Sequence, residues 1–181
     1  MIEPLPRIAG DVVLRRLAAE DLRAFQAYRH DTDLGRYQGW VPTPDEDALE
    51  MLSHMGRTAL LQPGVWCQIA IAEPGTLDLI GDIGLVLSVD SRQAEIGFTL
   101  RRESQGRGLA TSAVKETIRL VFENTRAGKV IGIADARNVP CIGLLERVGM
   151  CKVETRSATF RGEACTELIY GVDRHTALGC G

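Results

Sequence analysis

No stretch of this 181-residue chain approaches the ~20 consecutive apolar residues that a membrane span needs. The first residues, Met1-Ile-Glu-Pro-Leu-Pro6, lack the charged-then-apolar order of a secretory signal, so a cytoplasmic protein with no membrane partner is expected. No block of lysine or arginine forms a nucleic-acid footprint. Arg15-Arg16 and Arg101-Arg102 are only pairs, the net charge is −3, and no nucleic-acid partner is expected. The five cysteines, at 67, 141, 151, 165 and 180, are odd in number and include no Cys-x-x-Cys, which argues against a disulfide framework and a zinc site. His30, His54 and His175 are scattered, and none pairs with a carboxylate or cysteine at ligand spacing, so no metal is expected. No internal repeat, low-complexity tract or linker divides the chain. With 45% apolar residues it suits one domain, taken as residues 1–181.

The most informative stretch is Gln105-Gly-Arg-Gly-Leu-Ala110. Before it, Ala94, Ile96, Phe98 and Leu100 alternate with Glu95, Gly97 and Thr99, the period of a half-buried strand. After it, Ala110, Ala113, Val114, Thr117, Ile118, Val121 and Phe122 recur at helical spacing. The glycines therefore lie on a strand-to-helix turn. A helix N-terminus offers unpaired N–H groups and partial positive charge, and Gly106 and Gly108 remove side chains that would block them. A pyrophosphate cradle or a plain tight turn both fit. A P-loop is excluded because Leu109-Ala110 follows Gly108, and a dinucleotide fingerprint because Thr111 stands where its third glycine belongs.

Strands are expected at Val12–Arg16, Trp66–Ala72, Leu79–Leu87, Arg92–Arg101 and Lys129–Asp135, with two more flanking Arg161-Gly162. Leu22, Phe25 and Tyr28 mark a short helix. Thr43-Pro-Asp-Glu46 has the form of a capping box opening a helix that turns Leu49, Leu52, Met55 and Leu60 inward. The long helix runs from about Gly108 to Asn124, and Asn138 caps another that ends at Gly149. Residues from His175 onward read as a loose tail. The fold class is α/β, a mixed and mostly antiparallel sheet with helices on both faces.

Five matches in order carry a family resemblance. Gln105-x-x-Gly108-x-Ala110 resembles the acyl-CoA-binding motif of the GNAT N-acetyltransferases. Asn138-Val-Pro-Cys141 with Leu144-Leu-Glu-Arg-Val-Gly149 resembles the family's second block. Val13-Leu-Arg-Arg-Leu17 with Arg36-Tyr37 and Gly39-Trp40, then Ile80-Gly-Asp-Ile-Gly-Leu85, then Ala94-Glu-Ile-Gly-Phe98, are similar to the branch of ribosomal-protein N-terminal acetyltransferases. The resemblance spans about residues 11–173.

The resemblance implies acetyl-CoA as co-substrate and a primary amine as acceptor, either a protein N-terminal α-amine or a small molecule such as an amino acid or aminoglycoside. A non-catalytic acyl-CoA sensor and an acyltransferase for longer chains stay open, as does a homodimer. By resemblance, the backbone of Phe98, Thr99 and Leu100 meets pantetheine, while Gln105, Gly106, Arg107, Gly108, Leu109, Ala110 and Thr111 hold the pyrophosphate. Arg102 or Arg107 either meets the 3′-phosphate or is solvated. Asn138 serves as a helix cap or a cofactor contact. Glu95 is the first candidate for the base and Asp82 the second. Cys141, where the branch commonly has serine, reads as a general acid or a small buried side chain. The helix N-terminus is expected to lower its pKa. Tyr37 and Trp40 either wall the acceptor pocket or pack in the core.

Overall fold

The computed structural model describes residues 3–178. The strands are β1 (Arg7–Ala9), β2 (Val12–Arg16), β3 (Trp66–Ala72), β4 (Leu79–Leu87), β5 (Gln93–Leu100), β6 (Lys129–Asp135), β7 (Cys151–Phe160) and β8 (Glu163–Asp173). They form one sheet in the order β1-β2-β3-β4-β5-β6-β8-β7, antiparallel throughout except where β5 meets β6. The helices are α1 (Leu22–Arg29), α2 (Asp45–Arg57), α3 (Leu109–Asn124), α4 (Val139–Arg147) and α5 (Arg174–Leu178).

The central strands are covered on both faces. Ile83, Leu85 and Leu87 of β4 lie with Ala94 and Ile96 of β5 in the larger core, packed on Ala113, Val114, Ile118, Val121 and Phe122 of α3 and Leu144 and Leu145 of α4. Ala70 and Leu79 instead join Phe25 and Tyr28 of α1 and Ala48 and Leu52 of α2. Each large side chain fully buried in this way stabilises the fold by about 1.5–3 kcal/mol.

The parallel pairing of β5 with β6 decides where a ligand can enter. It covers only Gln93–Ile96 against Lys129–Gly132, yet β5 continues to Leu100 and β6 to Asp135. The two strands part beyond Ile96 and Gly132. Helix α4 begins beside this opening and sits close to β6, because a Cβ on Gly132 would stand 2.7 Å from Leu145 Cδ2.

Three expectations change. The Thr43 cap does not form: α2 starts at Asp45 without a side-chain cap bond, and the Thr43 carbonyl instead accepts from Gln26 Nε2 at 2.8 Å. Leu52 is buried and Met55 and Leu60 pack on the cores as expected, Leu60 from beyond the end of α2, but Leu49 is exposed and Ala48 is buried in its stead. The tail opens with α5, anchored by Arg174, whose guanidinium donates to the Phe122, Thr125 and Ala127 carbonyls. Cys180 and the last residues of the expected tail lie outside the described residues.

Candidate active site

Where β5 parts from β6, one strand edge is left without a neighbour. The Arg101 N–H donates to the Ile80 carbonyl at 2.8 Å, so Arg101 faces β4. Alternation along an antiparallel ladder then turns the backbone groups of Thr99 toward Asp82, and those of Phe98 and Leu100 toward the opening. Two side-chain amides occupy the carbonyls of that edge: Gln38 Nε2 donates to Phe98 O at 3.2 Å and Gln105 Nε2 to Leu100 O at 2.9 Å. The Phe98 and Leu100 N–H groups face the opening as donors for an added extended chain.

The opening is a cleft of about 690 Å³, lined by the Phe98–Leu100 edge, the 105–111 turn, α4 and part of the loop between α1 and α2. Gly106 and Gly108 hold φ of +75° and +77°, a left-handed conformation that glycine adopts without steric cost. A Cβ on either would meet nothing within 4 Å, so the space above the turn is open. Gly108 is the N-cap of α3 and has no side chain to satisfy the first amides. The turn therefore aims free N–H groups and the positive helix end into the cleft, a geometry suited to phosphate oxygens. Arg147 of α4 also lines the cleft. It was not among the expected cofactor residues; its guanidinium lies over Gly143, one helical turn earlier, and brings a cation to the cleft.

Asn138 caps α4, its Oδ1 accepting from the Cys141 amide at 3.4 Å. Both residues line the cleft. Burial pushes the Cys141 thiol up to about 11, overturning the expectation of a lowered value. Desolvation outweighs the helix end, because an N-terminal dipole is worth only about 0.3–1 kcal/mol at ordinary sites. Cys141 is thus a neutral thiol at physiological pH.

The remaining candidates divide. Tyr37 lines the cleft, and the Arg36 and Arg137 guanidinium groups lie 5.4 and 5.6 Å from its ring centroid. Arg102 lines it too, but both its Nε and Nη2 bind Asp31, which ties the loop to the end of β5. Arg107, Trp40 and Glu95 are not among the lining residues. Glu95 shares a face of β5 with Gly97 and Thr99, and no atom lies within 4 Å of where a Gly97 Cβ would be. Burial raises the Glu95 carboxyl above its ordinary value; Arg156 opposes the rise and Glu167 adds to it. Asp82 does not serve as the alternative base. It is 2% exposed, its Oδ2 accepts from Tyr28 and Arg29, and its Oδ1 accepts from Gln68.

The central sheet is thus split at its one parallel pair, and a glycine turn opens α3 beside the split. The acetyltransferase (GNAT) domain model matches residues 11–151, and the chain belongs to that family. It is an acetyl-CoA-dependent N-acetyltransferase. Over 143 residues it is 26% identical to the protein called uncharacterized N-acetyltransferase p20 of Bacillus licheniformis, covering 78% of this chain and 79% of that one. The spermidine N-acetyltransferase of Vibrio cholerae, solved with CoA and spermine, superposes with a TM-score of 0.77 at 20% identity, over 93% of this chain and 98% of that one. A ribosomal alpha-N-protein acetyltransferase in complex with coenzyme A gives 0.79 at 14% identity, over 92% and 96%.

Proposed function

We propose that the cleft holds acetyl-CoA along the β5 edge and passes its acetyl group to a single primary amine, first of all a protein N-terminal α-amine. The residues present suit the co-substrate. The 105–111 turn would take the pyrophosphate, and the Phe98 and Leu100 N–H groups would pair with the pantetheine arm, which brings the thioester toward Gly97 and the α4 N-terminus. Asn138 stands at that end as cap and as a polar group facing the cleft.

The acceptor nitrogen would attack the acetyl carbonyl carbon as the neutral amine. A C–N bond forms, the C–S bond breaks, and the nitrogen loses a proton. Glu95, two positions beyond Gly97 on the same strand face, would take that proton through water above Gly97. Its raised pKa makes it a stronger base than an ordinary carboxylate. Cys141 would offer a hydrogen bond to the departing sulfur without surrendering its proton. A thiol at about 11 is a weaker acid than the CoA thiol (~8.5), so full transfer runs uphill by about 3 kcal/mol.

The observation that carries the reading is the open β5 edge beside the glycine turn, where an extended arm and a pyrophosphate fit together. Asp31 is bound by Arg102, Asp135 by Arg137 and Glu167 by Arg156, each at 2.7 Å. Asp33, which lines the cleft, makes no ion pair among the described residues, so a polyamine is the competing acceptor that the test includes. The test is CoA-thiol release with acetyl-CoA and four acceptors: a peptide with a free N-terminus, the same peptide N-blocked, spermidine, and a free amino acid. The free-terminus peptide should release thiol fastest and carry the acetyl group on its first residue by mass spectrometry. Faster release with spermidine would overturn the acceptor assignment. No release with any amine while CoA still binds would favour an acyl-CoA sensor.

A further inference from the structure

Trp40 lies in the loop between α1 and α2, beside the cleft but not in its lining, and its side chain is held from three directions. Its ring rests on Gly35, where an added Cβ would stand 2.7 Å from Trp40 Cζ3. The Arg29 guanidinium lies 4.6 Å from its ring centroid, 4.6 Å from that of Phe25 and 5.7 Å from that of Tyr28, and is thus shared by three aromatic rings. Its Nε1 donates to Thr99 Oγ1 at 3.2 Å.

These contacts close a ring. Arg29, 4% exposed, donates through Nη2 to Asp82 Oδ2 at 2.9 Å, and the Tyr28 hydroxyl donates to the same oxygen at 2.5 Å. Asp82 stands directly opposite Thr99 across the β4–β5 ladder. The chain Trp40–Arg29–Asp82–Thr99 thus returns to Trp40, linking α1, β4, β5 and the loop. Arg29 Nε is buried with no partner among the described residues, so the guanidinium is fixed by Asp82 and the three rings rather than by a saturated set of hydrogen bonds.

We infer that Trp40 is a positioning residue: this closed set of contacts locks the loop so that Tyr37 and Gln38 stand at the β5 edge and shape the acceptor side of the cleft. Gln38 lies two residues before Trp40 and reaches the Phe98 carbonyl. Arg161, at the β7–β8 turn, donates to the Gln38 and Trp40 carbonyls at 3.0 and 2.7 Å, extending the lock to the facing hairpin. Displacing the indole should move the wall that an incoming amine meets, while the glycine turn and the strand donors for CoA stay in place.

The inference rests on the reading of the cleft as the catalytic site, and one arm of its test needs no acceptor. In a Trp66→Phe background, Trp40 is the one remaining tryptophan. Gly35→Ala and Asp82→Asn should each shift its emission to longer wavelength as the indole leaves its slot. An unshifted emission in both overturns the lock, whatever the acceptor. In the second arm, Trp40→Phe keeps the ring on Arg29 but removes the donor to Thr99. With the fastest acceptor of the four above, it should raise KM for the amine at least about fivefold and leave the CoA Kd within about twofold. Combining it with Thr99→Val should add no further loss, because both remove one bond. Additive losses, or equal damage to CoA binding, would contradict the positioning role. A shifted emission with unaltered amine KM would show that the ring holds the loop but does not shape the acceptor site, overturning the inference.

Discussion

The Asn138 side-chain carbonyl accepts from the Cys141 backbone amide, and this cap seats the Cys141 thiol in the first turn of α4, against the cleft. The thiol holds its proton to about 11 because it is buried. Cys141→Ser and Cys141→Ala should both leave turnover within about tenfold between pH 6 and 9, since a donor that weak cannot deliver a proton to a ~8.5 thiolate. A loss above about 10²-fold in the alanine variant alone would reinstate proton donation at this position. Alkylation with iodoacetamide, followed peptide by peptide, should label Cys141 slowly at pH 8, where an ordinary thiol is already partly ionised.

Glu95→Gln preserves shape and removes the proton acceptor. Turnover should fall about 10²–10⁴-fold with CoA affinity unchanged. Burial keeps the Glu95 carboxyl protonated to a higher pH than an ordinary carboxylate. The acid limb of the wild-type rate should therefore lie above the usual carboxylate range, with activity rising as pH rises through it. That limb should vanish in the variant. Wild-type turnover in Glu95→Gln would transfer the role to another group or to water.

Asp82→Ala should cost about 3–5 kcal/mol, because Arg29 is left buried without its counter-charge. The Tyr28 hydroxyl would lose its acceptor in the same step. Urea unfolding reads the loss as a lower midpoint. A cost under about 1 kcal/mol would mean that water reaches Arg29 freely, contrary to its burial.

Elements with strong local signals were legible in the sequence. The strand Lys129–Asp135, the Asn138 cap and the Gly108 turn all stand where periodicity and cap chemistry put them. The short β1 was missed because its middle residue, Ile8, is exposed and three residues give no period. The Thr43 box misled because α2 begins one residue later than the box requires, at Asp45 with Pro44 as its N-cap, a shift that local spacing does not reveal. Asp82 stood as the second candidate base because its partner Arg29 lies 53 positions away, on the helix packed across the sheet. Trp40 stayed open between a pocket wall and a core residue for the same reason: the slot that holds it combines Gly35, Arg29 and Thr99, which no spacing rule brings together. The Cys141 shift went the other way because a helix end can be read from sequence and the depth of burial cannot.

The glycine turn at the head of α3 carries the account, and calorimetric titration of CoA into wild-type and Gly108→Glu protein tests it most directly. The variant places a carboxylate and a strained left-handed residue where the space is open and the helix end is positive. With the fold verified by circular dichroism, CoA affinity should fall at least about tenfold, or about 1.4 kcal/mol. Equal affinity in the two proteins would mean that CoA is held elsewhere, and the cleft along β5 would lose its assignment.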